Sequence, residues 1–251
     1  PGAPEVAVAD GGSVAIAASE PERSATLATV ASAAAPSTCI GAVHARARTA
    51  IVRVESGLAV GAGFIVLDAS HAVTSLSLVA DGHDVRVVDA EGNARSARVI
   101  VTAGDDDLAL LELASALPVE PLSIADWDAV DVGREVVVAS FAMGRTARGR
   151  SGHGEYELGL TAGALNAIGD RAVQVDAHPA VVGSPIVDCE GRVVGVAARR
   201  MMLSDDPFTF GAGSGAIADL LSRVDHPEGH GGRVRLFMGL GLSLAWEDLP
   251  A

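Results

Sequence analysis

Apolar and polar residues alternate along most of this chain with the two-residue period of β-strands. The alternating or continuously apolar segments lie at 50–55, 61–67, 85–90, 97–101, 108–113, 130–140, 158–167, 172–176 and 193–196. Near the end, Ile217, Leu220, Leu221 and Val224 follow the i, i+3, i+4, i+7 spacing of one helix face. The pattern predicts an all-β domain that ends in one helix over 214–224.

The two ends of the chain lack this pattern. Residues 1–43 are rich in Ala, Pro and Ser and have no sustained period. Such a segment buries too little apolar surface to offset the entropy cost of ordering it, so we expect a linker or tether. Residues 226–251 begin with His, Gly and Pro and continue into an apolar tail around Leu236–Leu242, which predicts a second linker followed by one strand.

Charge and length exclude some classes of function. The chain has 251 residues and a formal net charge of -14. Nucleic-acid binding needs clustered Lys and Arg, so we expect no nucleic-acid partner. No apolar run approaches the ~20 residues that cross a bilayer, so we predict no transmembrane segment. The chain begins at Pro1, which is typical of a processed or trimmed product.

The two cysteines, Cys39 and Cys189, leave two alternatives open. They can form one disulfide, or they can remain two free thiols. Neither lies in a C-x-x-C motif or beside clustered histidines, so we expect no metal site and no cofactor.

Three motifs, in order, resemble the chymotrypsin-like serine proteases of the HtrA (Deg) group. Asp107-Leu-Ala-Leu-Leu111 is similar to the family's D-L-A-L-L segment, and 158–167 is similar to its T-x-G-I-V-S-A strand. The stretch 174–196 resembles the nucleophile loop and its hairpin, with matches at Gln174, Asp176, Ala177, Gly183, Pro185, Ile186, Gly191, Gly195 and Val196.

The resemblance implies an all-β fold of two six-stranded antiparallel β-barrels with a C-terminal helix. It places the double-barrel domain at 44–225, with barrels at about 44–118 and 128–213 and the helix at 214–224. The tail at 226–251 resembles the start of a PDZ domain. Residues 141–144 stand where the family has a G-x-P-x-G turn.

The family's catalytic groups are not all present at their positions. Asp107 matches the aspartate that orients the histidine, but Ser77 stands at the histidine position. Val182, three residues before Pro185, stands at the serine position. Acyl transfer needs a hydroxyl activated by an imidazole, and losing both costs on the order of 10⁶ in kcat. We therefore predict that the chain is not an enzyme.

Three functions follow from this conflict. The first is a non-catalytic pseudoprotease that serves as a binding, structural or regulatory subunit of an assembly. The second is an active serine endopeptidase with rearranged groups, for which Ser184 and His178 are the candidates. The third is an inactive partner that regulates an active HtrA paralogue. The resemblance also implies an extracytoplasmic location, an oligomer, and a protein or extended-peptide partner.

Overall fold

The computed structural model describes residues 38–81, 84–143, 156–177, 180–198 and 208–224. Three predictions lie wholly or largely outside these residues: the N-terminal linker, the PDZ-like tail and the role of His178.

The first six strands form a closed antiparallel barrel, which we call barrel 1. Its strands are β1 (Ile51–Ser56), β2 (Ala59–Val66), β3 (His71–Ser75), β4 (Val85–Val88), β5 (Ala94–Ala103) and β6 (Leu108–Leu113), in the order β1-β2-β3-β6-β5-β4. In β3 and β6, Ser75 pairs with Leu108. This register brings the end of β3 to the start of β6, where Asp107 lies.

The next six strands form a second closed barrel, barrel 2. Its strands are β7 (Glu135–Met143), β8 (Tyr156–Ile168), β9 (Ala172–Val175), β10 (Pro185–Asp188), β11 (Val193–Ala197) and β12 (Thr209–Gly213), in the order β10-β11-β12-β9-β8-β7. All of β10 and β11 is buried, because one face of each strand lines the barrel and the other packs against neighbouring elements. The two barrels confirm the predicted fold class.

Within the described residues, three α-helices complete the domain: α1 (Thr38–Ala47), α2 (Leu76–Val79) and α3 (Ser214–Ser222). The predicted helix near the C-terminus is present as α3, which buries Ala216, Ile217 and Leu220. In the part of the chain that the structure describes, 3₁₀ turns occupy Gly104–Asp106 and Trp127–Ala129. No helix within the described ranges is long and apolar enough to span a bilayer.

The segment between the barrels pairs with both of them. The Leu122 N–H donates to the Ile65 carbonyl of barrel 1 at 2.9 Å, and the Val193 N–H of barrel 2 donates to the Ser123 carbonyl at 2.8 Å. Two adjacent residues thus fix one barrel beside the other.

The turn predicted at 141–144 is wrong. Strand β7 continues through Met143, and its last three residues pair with Leu158, Glu157 and Tyr156 of β8. The Phe141 side chain is buried, so this part of the segment belongs to the barrel wall rather than to a turn.

A disulfide joins Cys39 of α1 to Cys189 in the turn between β10 and β11, with the Cα atoms 4.6 Å apart. Arg46 of the same helix donates from Nη1 to the Cys189 carbonyl at 3.3 Å. Val43 and Ala47 are fully buried. Helix α1 is therefore held to the domain by a covalent bond and by packing.

Candidate active site

Asp107 lies at the junction of a 3₁₀ turn and β6 and has an unusual backbone conformation. Its φ is 55°, in the left-handed region, and its N–H donates to the Gly104 carbonyl at 3.4 Å. Asp enters this region more readily than most residues, but the conformation still costs on the order of 1 kcal/mol. The residue is 8% exposed, so neighbouring groups must satisfy its carboxylate.

Those groups come from Ser75 and Ser77 at the start of α2. The Ser77 N–H donates to Asp107 Oδ1 at 2.7 Å. Asp107 Oδ2 accepts from Ser75 Oγ at 2.7 Å and from Ser77 Oγ at 3.1 Å. The two hydroxyl oxygens are themselves 2.8 Å apart. Each hydroxyl has one proton, so two protons are shared among three oxygen–oxygen contacts: Ser75 to Asp107, Ser77 to Asp107, and Ser75 to Ser77. These hydrogen bonds polarise one another, and the cluster is therefore a cooperative network.

The two serines differ in access to solvent. Ser75 is fully buried, whereas Ser77 is exposed. The buried carboxylate therefore holds one exposed hydroxyl in place. Sequence reasoning identified Asp107 and Ser77, and the structure brings them together.

The loop that carries Val182 is fixed to barrel 1 through its backbone. The Val182 carbonyl accepts from the Ala62 N–H at 3.0 Å. Gly183 has φ +81°, and a Cβ there would lie 2.0 Å from the Ala62 carbonyl oxygen. The Val181 N–H donates to Ser140 Oγ at 3.1 Å. Only glycine fits at 183, which explains the G-x-P pattern of this segment.

Ser184 is present but enclosed. It is fully buried, and its hydroxyl has no hydrogen-bond partner within the described part of the chain. Its carbonyl accepts from the Ala197 N–H at 2.8 Å. His178 lies outside the described residues, so the pairing of Ser184 with His178 stays a prediction.

The two histidines within the described ranges have other settings. His44 is exposed on α1. His71 begins β3, and its Nδ1 lies 2.8 Å from Asp68 Oδ1. Hydrogen bonds from the Ser70 hydroxyl and N–H, with a further contribution from His71, lower the pKa of Asp68 to about 2.

Two cavities of about 770 and 780 Å³ lie apart from this cluster. The first is lined by residues of β1, β4 and β5, and the second by α1, β1, the turn after β4, and the paired ends of β7 and β8. Neither is lined by Ser77, Asp107 or Val182.

Sequence reasoning missed three residues around Asp107. Ser75 bonds its carboxylate directly, and Asp106 precedes it in the turn. Arg171 reaches Asp106 from barrel 2, with Nε to Oδ1 at 3.0 Å and Nη2 to Oδ2 at 2.9 Å. Ser75 could have been found from the sequence because it lies two residues before Ser77, but no local pattern indicates Arg171.

Comparison with known proteins agrees with the architecture. The profile of the trypsin-like peptidase domain family matches residues 55–196. A probable serine protease do-like of Buchnera aphidicola subsp. Acyrthosiphon pisum (strain APS) is 23% identical over 191 residues, 70% of this chain. The chain spans 37% of that relative's length.

Solved structures show the same fold. The Ser343Ala mutant of Rv3671c from M. tuberculosis H37Rv, in an inactive form, has a TM-score of 0.60 and 22% identity and covers 75% of this chain and 93% of its own. A second structure of the Rv3671c protease, also in an inactive form, has a TM-score of 0.61 and 21% identity, with coverage of 76% and 96%.

The prediction that the chain is not an enzyme is wrong. It was based on Ser77 and Val182 at two catalytic positions, but the matched family is one of peptidases and the similar proteins have protease names. The family is supported by three sequence motifs, by the two closed barrels and by a family-profile match that extends over both barrels. This chain belongs to the trypsin-like peptidase domain family and resembles its HtrA/Do-like members.

Proposed function

We propose that the chain acts on extended segments of polypeptide as an HtrA-like serine endopeptidase whose reactive groups are rearranged. One observation supports this function above the others. The carboxylate at the family's aspartate position is buried, and it holds an exposed hydroxyl, Ser77, by a 3.1 Å hydrogen bond.

Two hydroxyls are candidates for the nucleophile, because Val182 has none. Ser77 is exposed and already bonded to a carboxylate. Ser184 is buried and unpartnered, so it reaches a substrate only after the loop at 180–183 shifts. The geometry therefore favours Ser77 over Ser184. In either case the hydroxyl oxygen attacks the scissile carbonyl carbon, a base takes the hydroxyl proton, and the same proton goes to the leaving amine as the C–N bond breaks. Water then hydrolyses the acyl-enzyme ester, which releases the second product and restores the hydroxyl.

The base for this step has two candidates. Asp107 is within hydrogen-bond distance of Ser77, but carboxylates are in general weaker bases than an imidazole at neutral pH. His178 has an imidazole suited to neutral pH and precedes the Val182 loop in the chain. The hypothesis with Ser184 and His178 is tested by the same experiment as the one with Ser77.

The disulfide supports an extracytoplasmic location. Structural disulfides form and persist in oxidising compartments and are rare in the cytosol of most organisms. Cys39 and Cys189 are joined across 150 residues of sequence, and we assign the protein to the periplasm or the exterior on this ground. We also propose that the protein forms an oligomer or is a subunit of a larger complex.

The test is intact-mass analysis of the full chain after exposure to a fluorophosphonate, alongside turnover of an unfolded, reduced protein substrate. We expect one adduct and substrate cleavage. Ser77→Ala and Ser184→Ala identify the hydroxyl, since only one of them abolishes the adduct. Ser222→Ala is the control, because Ser222 is exposed on α3 and its hydroxyl bonds the Asp219 carbonyl of the same helix. No adduct and no cleavage in the full chain would overturn the proposal.

A further inference from the structure

Arg171 lies in the turn between β8 and β9 and binds a carboxylate of the opposite barrel with both arms of its guanidinium. Nε and Nη2 donate to the two oxygens of Asp106 at 3.0 and 2.9 Å. A planar fork that meets both oxygens of a carboxylate fixes orientation as well as distance. The contact therefore constrains where the 3₁₀ turn of barrel 1 lies relative to barrel 2.

The same arginine is fixed to helix α3. Nη1 donates to Asp219 Oδ2 at 2.6 Å. The Arg171 carbonyl accepts from the N–H of Gly213, the residue before α3, at 2.8 Å. Hydrogen bonds to Asp106 first, and then to Asp219, raise the pKa of Arg171 above its usual value. The guanidinium is thus held at three points by two elements.

Asp106 is the residue immediately before Asp107. The 3₁₀ turn Gly104–Asp106 ends in the left-handed Asp107, a conformation that persists only when its surroundings hold it. Arg223 of the chain after α3 donates to the Thr102 carbonyl at 3.2 Å, just before the same turn. The turn that carries the candidate carboxylate is thus held from outside its own barrel.

The energetics indicate that this contact positions the turn rather than stabilises the fold. The Arg171 side chain is 45% exposed, and ion pairs with such access to water contribute little to stability. Removing the arginine should leave the domain folded.

We propose that Arg171 is a positioning residue for Asp107, which acts through Asp106 to keep the carboxylate in place for Ser77. This inference rests on the proposed function of the Ser77–Asp107 site. Arg171 itself touches neither Asp107 nor a substrate among the contacts described above. Its effect must therefore appear as a change in the hydrogen bonds that Asp107 accepts.

The experiment follows the Ser77 N–H, which donates to Asp107 Oδ1, by amide hydrogen exchange in NMR spectra of the full chain. In Arg171→Met we expect this amide to exchange about tenfold faster or more, while the midpoint of urea unfolding changes little. Arg171→Lys keeps the positive charge but lacks the planar guanidinium that contacts both oxygens of Asp106. This variant should give an intermediate exchange rate for the Ser77 amide. Arg192→Met is the matched control, because Arg192 also bridges two carboxylates, Asp188 and Glu190, far along the chain from Asp107.

An unchanged Ser77 exchange rate in Arg171→Met would overturn the proposal. An equal acceleration in Arg192→Met would overturn it too, because the effect would then be general. The exchange rate is measured whether or not the chain cleaves protein, so this result and the test of peptidase activity fail independently. If the full chain labels with a fluorophosphonate, Arg171→Met should also label about tenfold more slowly.

Discussion

The carbonyl oxygen of Val182 in barrel 2 accepts a hydrogen bond from the backbone N–H of Ala62 in barrel 1, across 3.0 Å. Val182, which the sequence analysis aligned with the family's nucleophile position, is thus joined to the wall of the other barrel by backbone atoms. Because backbone atoms make this contact, a different residue at position 182 would be held at the same place. The loop is therefore built to hold one residue at the barrel junction, whichever residue that is.

Gly183→Ala tests how tightly the barrels meet. The new Cβ would lie 2.0 Å from the Ala62 carbonyl oxygen and 2.6 Å from Thr74 Oγ1, at φ +81°. We expect the free energy of unfolding to fall by about 3 kcal/mol or more, since strain adds to steric overlap. Gly92→Ala is the control: its φ is +87°, but nothing lies within 4 Å of the added Cβ. That variant should lose only about 1 kcal/mol in urea unfolding. Equal losses in the two variants would contradict the close contact.

Asp107→Asn tests the hydrogen-bond cluster. An amide has one acceptor oxygen and presents an NH₂ donor where the carboxylate accepts from Ser75 and Ser77. We expect the free energy of unfolding to fall by about 2 kcal/mol, because buried Ser75 is left with a poor partner. Ser77→Ala removes an exposed hydroxyl and should cost well under ~1 kcal/mol. A larger loss in Ser77→Ala than in Asp107→Asn would show that the carboxylate is not the centre of the cluster.

Reduction of the disulfide should destabilise the domain. Cys39 and Cys189 are 150 residues apart in sequence, and closing so long a loop contributes about 2–4 kcal/mol. We expect a reductant to lower the thermal midpoint of the native chain and leave that of Cys39→Ala/Cys189→Ala unchanged. If the reductant leaves the thermal midpoint of the native chain unchanged, the disulfide contributes little to stability.

Asp89 should make stability depend on pH in the acid range. Burial of its carboxylate opposes ionisation, but hydrogen bonds from Asn93 and Arg95 outweigh that cost and lower the pKa of Asp89 below its usual value. A depressed pKa in the folded state stabilises the protein above the unfolded pKa of about 3.9, and that contribution is lost as pH falls through the folded pKa.

Asp89→Asn should therefore be less stable than the native chain at pH 6, and the gap should close as pH falls below about 4. The measurement is urea unfolding of both proteins from pH 6 to pH 2. Glu91→Gln, which changes an exposed side chain in the same turn, is the matched control. A gap that stays constant with pH would contradict the assignment.

Strand alternation and the helical spacing of 214–224 were enough to predict an all-β domain and α3, because burial on one face is a local property of sequence. The arrangement of the strands in two barrels was predicted from the family resemblance. The Asp107-Leu-Ala-Leu-Leu111 motif likewise located β6 and the carboxylate before it. The strand β7 was predicted too short, since residues 141–144 were aligned with a family turn, whereas burial of Phe141 extends the strand.

The remainder of the site depends on contacts that no local pattern records. Arg171 and Asp106 are 65 residues apart, and Arg171 and Asp219 are 48 apart. Each is an ordinary surface charge in sequence, and only the closing of two barrels brings the three together. The left-handed conformation of Asp107 is equally invisible, because Asp is compatible with many turns.

The disulfide encloses nearly all of the strands that build both barrels. A protease that cuts the chain once at any point between residues 39 and 189 would therefore produce two fragments that remain covalently attached. Because the link keeps the fragments at a high effective concentration, a nicked molecule can keep its barrels assembled. Such a molecule would run as one band without reductant and as two bands with it, so the bond protects the domain against the loss of either half.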